Sequence, residues 1–223
     1  MKDEIVKEIE KMSGQYTAYQ IFSDWVTMLA ISIQNACWVA YRWMKQYDDD
    51  LWQDREKRYL DIASRYTKDQ MMTFCKMSGW LTDTYEKAAG DVLGEIYMES
   101  GCGNKSTGQF FTPFHVSQLC SDIALQVKPN EDGDYIINEP SCGGGGMIIA
   151  SLNTMRKRGI NWRRVKVIAQ DLDWNGVYMT YVQLSLLGIN AIVAQGNTLK
   201  EPYIDGYPQG RVFYTPVRMG LII

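Results

Sequence analysis

Four consecutive glycines, Gly143 to Gly146, follow the short run Ile136-Ile137-Asn138-Glu139 and lead into Met147-Ile148-Ile149. Glycine has no Cβ, so such a run lets the chain turn sharply at φ > 0 and bring its backbone against a ligand. The pattern predicts a strand ending near Glu139, a loop through Pro140, Ser141 and Cys142, and a helix opening near Met147 with its first amides unpaired and aimed at the loop. A ligand of phosphate, carboxylate or nucleoside character suits that arrangement. A second acid, Asp171, falls just past the apolar run Val165 to Ala169. At the carboxyl end of a neighbouring parallel strand, a carboxylate can accept hydrogen bonds from both hydroxyls of a ribose.

Two other glycine-loop chemistries fit poorly. The dinucleotide fingerprint needs a third glycine where this chain has Ile148, and a phosphate loop needs Gly-Lys-Ser/Thr where Gly103-Asn104-Lys105-Ser106 interposes an asparagine. The segment Glu139-Pro140-Ser141-Cys142-Gly143-Gly144-Gly145 instead resembles the acidic-Pro-x-Cys-Gly-x-Gly loop of S-adenosylmethionine-dependent DNA methyltransferases that act on amino groups, especially the modification subunits of type I restriction systems.

The run Gly108-Gln109-Phe110-Phe111-Thr112-Pro113 strengthens that resemblance. By its own chemistry, Thr112 reads as an N-cap and Pro113 as a first helical residue, opening a helix to about Val127 with an apolar stripe of Val116, Leu119, Cys120, Ile123 and Ala124. The resemblance implies that this segment, with Phe110, Phe111 and Thr112, closes over the methionine part of S-adenosyl-L-methionine. Asp91-Val92-Leu93-Gly94-Glu95-Ile96-Tyr97 is similar to the family's lead-in. The resemblance further implies that Glu139, Cys142, Gly143, Gly145 and Asp171 hold the cofactor. It also places Asn197, in Gly196-Asn197-Thr198-Leu199, where the family's aspartate accepts from the adenine amino group, a bond an amide oxygen can also accept.

The chemistry of methyl transfer belongs, in the family, to Asn-Pro-Pro-aromatic, whose acceptors hold the target adenine amino group while the aromatic stacks on the flipped base. Here the quartet reads Thr215-Pro216-Val217-Arg218 and matches only at Pro216. Thr215 and Pro216 are the expected catalytic positions. The resemblance covers about residues 85 to 223. It implies an adenine-N6 DNA methyltransferase, or a methyltransferase-like protein, of a restriction-modification or mobile-element system. A catalytically inactive, cofactor-binding interaction module is the alternative.

Composition narrows the field. The 223 residues are 46% apolar with a net charge of −3, an ordinary globular balance and a poor one for wrapping nucleic acid by bulk electrostatics. DNA contact is therefore expected to be local or supplied with the help of a partner subunit. Five scattered cysteines and one histidine, His115, argue against a metal site, a disulfide framework and a histidine-dependent nucleophile. No apolar stretch of about eighteen residues occurs and Lys2-Asp3-Glu4 is not a signal peptide, so a soluble, cytoplasmic protein is expected, with no membrane contact. The basic run from Arg156 to Lys166 reads as cations closing a helix C-terminus on a solvated face.

Apolar residues three and four apart, from Tyr19 through Phe22, Val26, Leu29, Ile33, Cys37 and Ala40 to Met44, predict a long helix. Further helices are expected over 54–65, 68–88 and 91–97. Together they predict an N-terminal helical domain over 1–107, followed by an α/β, Rossmann-like methyltransferase domain over 108–223. That second domain should hold the first four strands of the sheet in the order 3-2-1-4. Ending soon after a fourth strand, Val212-Phe213-Tyr214 would be an exposed edge, for which a homodimer or hetero-oligomer is the expected cover.

Overall fold

The computed structural model describes residues 1–42, 49–102, 111–204 and 207–221. The chain forms two compact units: Met1–Ala88 with Val92–Phe110, and Ala89–Asp91 with Phe111–Ile223.

The first unit is helical, with α1 (Lys2–Met12), α2 (Ala18–Arg42), α3 (Asp49–Ala63), α4 (Lys68–Lys87) and α5 (Val92–Glu99). Helix α4 opens with a capping box: Thr67 Oγ1 accepts from the Gln70 amide at 3.3 Å and Gln70 Oε1 from the Thr67 amide at 2.8 Å. Helix α2 is buried more broadly than its expected stripe. Ile21, Met28 and Ile31 join Phe22, Trp25 and Val26 in the core, whereas Ala40 is exposed. Met44 lies outside the described residues.

The second unit contains α6 (Phe114–Ala124), β1 (Tyr135–Glu139), α7 (Gly146–Lys157), β2 (Val165–Asp171), α8 (Trp174–Leu186), β3 (Asn190–Gln195) and β4 (Val212–Tyr214). Strands β1, β2 and β3 are adjacent and parallel, in register Glu139 with Ala169 and Asp171 with Gln195. Their two crossovers step in the same direction, so right-handed connections place α7 and α8 on one face of the sheet. Val165, Val167, Ala169, Ala191 and Val193 are buried. Phe213 joins them against the rings of Tyr178 and Tyr181 on α8.

The order of the sheet is β1-β2-β3-β4, not 3-2-1-4, and β4 runs antiparallel to β3. A parallel return to β1 needs a crossover, usually helical. Among the described residues, the connection from Gln195 to Val212 holds only a three-residue 3-10 helix. Tyr207 draws that connection back over β3, its hydroxyl donating to the Gln195 carbonyl at 2.9 Å and its ring packing with Ile192, Ala194 and Val212. Gly196 makes this possible, because a Cβ there would lie 1.8 Å from the Tyr207 hydroxyl. The edge strand is also less open than expected, with Val212 and Phe213 buried.

Helix α6 departs from expectation in two ways. It begins at Phe114 with Pro113 as its N-cap and no side-chain capping bond, so Thr112 is not the cap. Its buried face is Ser117 and Ser121, while Leu119 and Ile123 are 59% and 75% exposed. For Ser121 and its neighbours Gln118 and Asp122 the reason is that α7 offers hydroxyls; Ser117 Oγ has no hydrogen-bond partner among the described residues. Thr154 Oγ1 donates to Asp122 at 2.6 Å and accepts from Ser121 at 3.1 Å and from Gln118 at 2.9 Å. A small polar face satisfies those groups; an apolar one would strand them.

The basic run is engaged locally, as its position at a helix end implied. Lys157 pairs with Asp122 at 3.0 Å, Arg158 donates to the Leu125 carbonyl at 2.7 Å, and Lys166 pairs with Asp134 at 2.7 Å. No helix among the described residues is long and apolar enough to cross a membrane.

Thr215 follows β4 and is fully buried. Its hydroxyl donates to the Ile189 carbonyl at 2.7 Å and accepts from the Ala191 amide at 2.9 Å. Thr215→Val keeps the volume and orphans that amide. Chemical denaturation should show a loss of about 1–3 kcal/mol, the cost of an unsatisfied buried donor.

Candidate functional site

The loop between β1 and α7 is held at both ends by the strands. The Cys142 amide donates to the Gln170 carbonyl of β2 at 3.0 Å, and the Gly145 amide closes a turn onto the Cys142 carbonyl at 2.8 Å. Gly143 and Gly145 adopt φ of 51° and 95°, the left-handed region that an L side chain resists. Space confirms the requirement. A Cβ on Gly143 would lie 3.1 Å from the Phe111 ring, and one on Gly145 would lie 3.0 Å from Thr180 Oγ1.

Asp171 is the last residue of β2 and half-buried. One carboxylate oxygen accepts from the Gly143 amide at 2.7 Å and the other from the Asp173 amide at 2.9 Å. A carboxylate has about four acceptor positions, so each oxygen keeps capacity for a ligand hydroxyl. Asp173 caps α8, accepting from the Gly176 amide at 3.1 Å.

Glu139 ends β1 and accepts from the Ser141 amide at 3.2 Å. Burial pushes its carboxyl above the ordinary glutamate range; the Ser141 bond opposes this and the charge of Asp171 adds to it. No lysine or arginine among the described residues bonds to Glu139 or Asp171. Among the described residues, the two acids therefore have no cationic partner. Cys142 is buried, and burial raises its thiol so far that it stays neutral. Its thiol lies within hydrogen-bonding reach of Thr180.

Of the other expected residues, Phe111 lies against Gly143, whereas Thr112 is exposed and outside any capping bond. Phe110 lies outside the described residues. Asn197 is half-buried beyond β3, and its side-chain oxygen already accepts from the Leu199 amide at 3.1 Å. The neighbouring Thr198 ties that turn to the glycine loop by donating to the Pro140 carbonyl at 2.7 Å.

Thr215 and Pro216 are not brought to this end of the sheet. Because β4 is antiparallel, Thr215 sits beside Ala191 at the start of β3, whereas Asp171 is level with Gln195 at its end. At ~3.3 Å per residue those two ends of β3 are about 13 Å apart.

Several residues that hold the loop were not expected from the sequence. Thr180 donates to the Gly143 carbonyl at 2.8 Å, and Gln183 donates to the Gly144 carbonyl. Gly176 leaves room for the loop, since a Cβ there would lie 2.9 Å from the Gly143 carbonyl oxygen. Positions 176, 180 and 183 recur on one helix face. A glycine, a threonine and a glutamine spaced along one face of a largely buried helix are the signal that could have found them.

The description "N-6 DNA Methylase" belongs to the family model that matches residues 88–215, more than half of the chain. The chain belongs to that family. Among curated proteins, it is similar to the type I restriction enzyme MjaIX methylase subunit of Methanocaldococcus jannaschii, 30% identical over 108 residues that cover 46% of this chain and 18% of that protein. It is also similar to the type I restriction enzyme MpnII methylase subunit of Mycoplasma pneumoniae, 31% identical over 80 residues that cover 34% of this chain and 14% of that protein. The chain thus matches under a fifth of the length of these relatives. The N-6 DNA methylase match begins at Ala88, just ahead of the Ala89–Asp91 segment that packs with the sheet unit, and includes every glycine-loop contact described above.

Gly145→Ala should force both a left-handed φ on alanine and a contact with Thr180. Strain and overpacking of this kind cost about 1–3 kcal/mol each, so urea unfolding should register a loss of at least that size.

Proposed function

We propose that the second unit binds S-adenosylmethionine and serves an adenine-N6 DNA methyltransferase of a type I-like restriction-modification system, acting on DNA together with a partner subunit. The observation that carries this reading is the pair of uncompensated acids, Glu139 and Asp171, at the carboxyl ends of adjacent parallel strands beside a glycine loop. Two carboxylates repel a phosphate and favour a cation. S-adenosylmethionine carries a sulfonium and an ammonium against one carboxylate, a net positive charge, whereas the phosphates of dinucleotides and nucleoside triphosphates bring negative charge to such a loop. Asp171 would accept from the ribose hydroxyls, Asn197 from the adenine amino group, and Phe111 would close the methionine side, with Phe110 and Thr112 adjoining. Glu139 would face the ammonium, and Gly143 and Gly145 would give the ligand its clearance. The bound group supplies an electrophilic methyl.

A second reading has the unit bind the cofactor as an interaction or regulatory module without transferring methyl groups. The burial of Thr215 at the far end of β3 favours it, since that hydroxyl is committed to the backbone of Ile189 and Ala191. Transfer of labelled methyl groups to DNA separates the two: incorporation that depends on DNA supports the enzyme, and cofactor binding with no incorporation supports the module.

Calorimetric titration with S-adenosylhomocysteine tests the shared site. Asp171→Ala should weaken binding by about 1.5–3 kcal/mol, the range for hydrogen bonds to a charged group. Unchanged affinity would remove Asp171 from the site. Binding of S-adenosylmethionine should also weaken as pH falls. Glu139 takes up its proton above pH 4.5, the ordinary glutamate value, and the site then loses one of its two negative charges. Asp171 stands beside it and Cys142 stays uncharged, so Glu139→Gln should flatten the upper part of that pH profile.

A further inference from the structure

We infer that Asp91 and Gln183 are positioning residues that set the glycine loop for its ligand from the α8 side. The inference rests on the reading of that loop as an S-adenosylmethionine site. Gln183 is fully buried, and its Nε2 donates both of its hydrogens, one to the Gly144 carbonyl and one to Asp91 Oδ1 at 2.8 Å. Asp91 is itself only 3% exposed. Its other carboxylate oxygen lies so close to Gly146 that a Cβ there would approach it to 2.7 Å. Gly146 is the first residue of α7, where free amides and the helix dipole favour a negative charge. One carboxylate thus touches the loop's last glycine directly and its second glycine through Gln183.

The consequence for a ligand follows from peptide geometry. In a trans peptide the carbonyl and the next amide point in opposite directions. With the Gly143 carbonyl held by Thr180 and the Gly144 carbonyl by Gln183, the amides of Gly144 and Gly145 are turned away from α8. Gly145 spends its amide on the Cys142 carbonyl, which leaves that of Gly144 as the one presented. Four glycines in a row would otherwise sample many conformations, and a ligand would have to order them on binding. Asp91 and Gln183 bring that order before the ligand arrives. Neither carries chemistry of its own, and Asp91 stands more than fifty residues from the loop it organises.

The test uses the full chain with Gln183→Met, Asp91→Ala and Asp91→Asn. Three quantities are read for each: affinity for S-adenosylhomocysteine, thermal unfolding, and hydrogen exchange of the loop amides without ligand. Gln183→Met fills the volume without donors and should weaken binding about tenfold through lost preorganisation, with faster exchange at Gly143 to Gly146. Asp91→Ala should do the same. Asp91→Asn, which keeps the oxygen that accepts from Gln183, should recover most of the affinity, and it remains measurable if Asp91→Ala fails to fold. A residue that merely supported the core would lower the melting temperature in every variant and leave affinity and loop exchange at the wild-type values; that outcome overturns the inference. If the wild-type protein binds no S-adenosylhomocysteine, the reading of the site falls. The exchange data still decide whether Asp91 and Gln183 hold the loop.

Discussion

The hydrogen bond from the Gly143 amide to Asp171, at 2.7 Å, joins the end of one strand to the loop that leaves its neighbour. Everything at the carboxyl edge of the sheet depends on it. It requires β1 and β2 to be parallel and in register, which the pairing of Glu139 with Ala169 provides. It requires Gly143 at positive φ, and Gly176 without a side chain, since a Cβ on Gly176 would lie 3.3 Å from the Asp171 carboxyl carbon. A bond between a charged carboxylate and an amide is stronger than one between neutral groups, which is why a loop of four glycines can hold a single shape.

Around that bond the protein collects negative charge and withholds positive charge. Glu139 and Asp171 stand at adjacent strand ends; burial pushes the Glu139 carboxyl above its ordinary range, and the charge of Asp171 adds to that shift. Folded proteins ordinarily pair such groups. The cations nearby in sequence, Lys157, Arg158, Arg164 and Lys166, are instead committed to Asp122, Asp134 and backbone carbonyls at the opposite end of the unit. Arg211, at the carboxyl edge, pairs with Glu201, so Glu139 and Asp171 have no lysine or arginine partner among the described residues.

Two elements show how local pattern and tertiary packing can disagree. Helix α6 has an apolar stripe of the spacing that normally marks a core face, yet it buries Ser117 and Ser121; Ser121 meets the hydroxyls of Thr154 and Ser151 on α7, while the Ser117 hydroxyl is buried with no hydrogen-bond partner among the described residues. Strand β4 has the composition of an inner strand and lies at the edge, antiparallel to β3, because Tyr207 and Gly196 turn the chain back. In both cases the deciding partner lies outside the element, about thirty residues away for α6 and in the connection from β3 for β4.

By itself the sequence determined what depends on neighbours along the chain. The glycine loop, the strand on either side of its helix and the acid at Asp171 all follow from residue types a few positions apart, because turn geometry and strand period are local physics. The family resemblance was carried by those same residues. Tertiary structure alone decided what depends on contacts across the fold. It put β4 beside β3 and so left Thr215 and Pro216 away from the loop, turned α6 about its axis, and set Asp91, Thr180 and Gln183 behind the glycines. Those outcomes rest on hydrogen bonds between groups up to about ninety residues apart, such as Gln183 to Asp91. A buried polar side chain must find its partner wherever the fold places one, and no periodicity in the chain announces where that is.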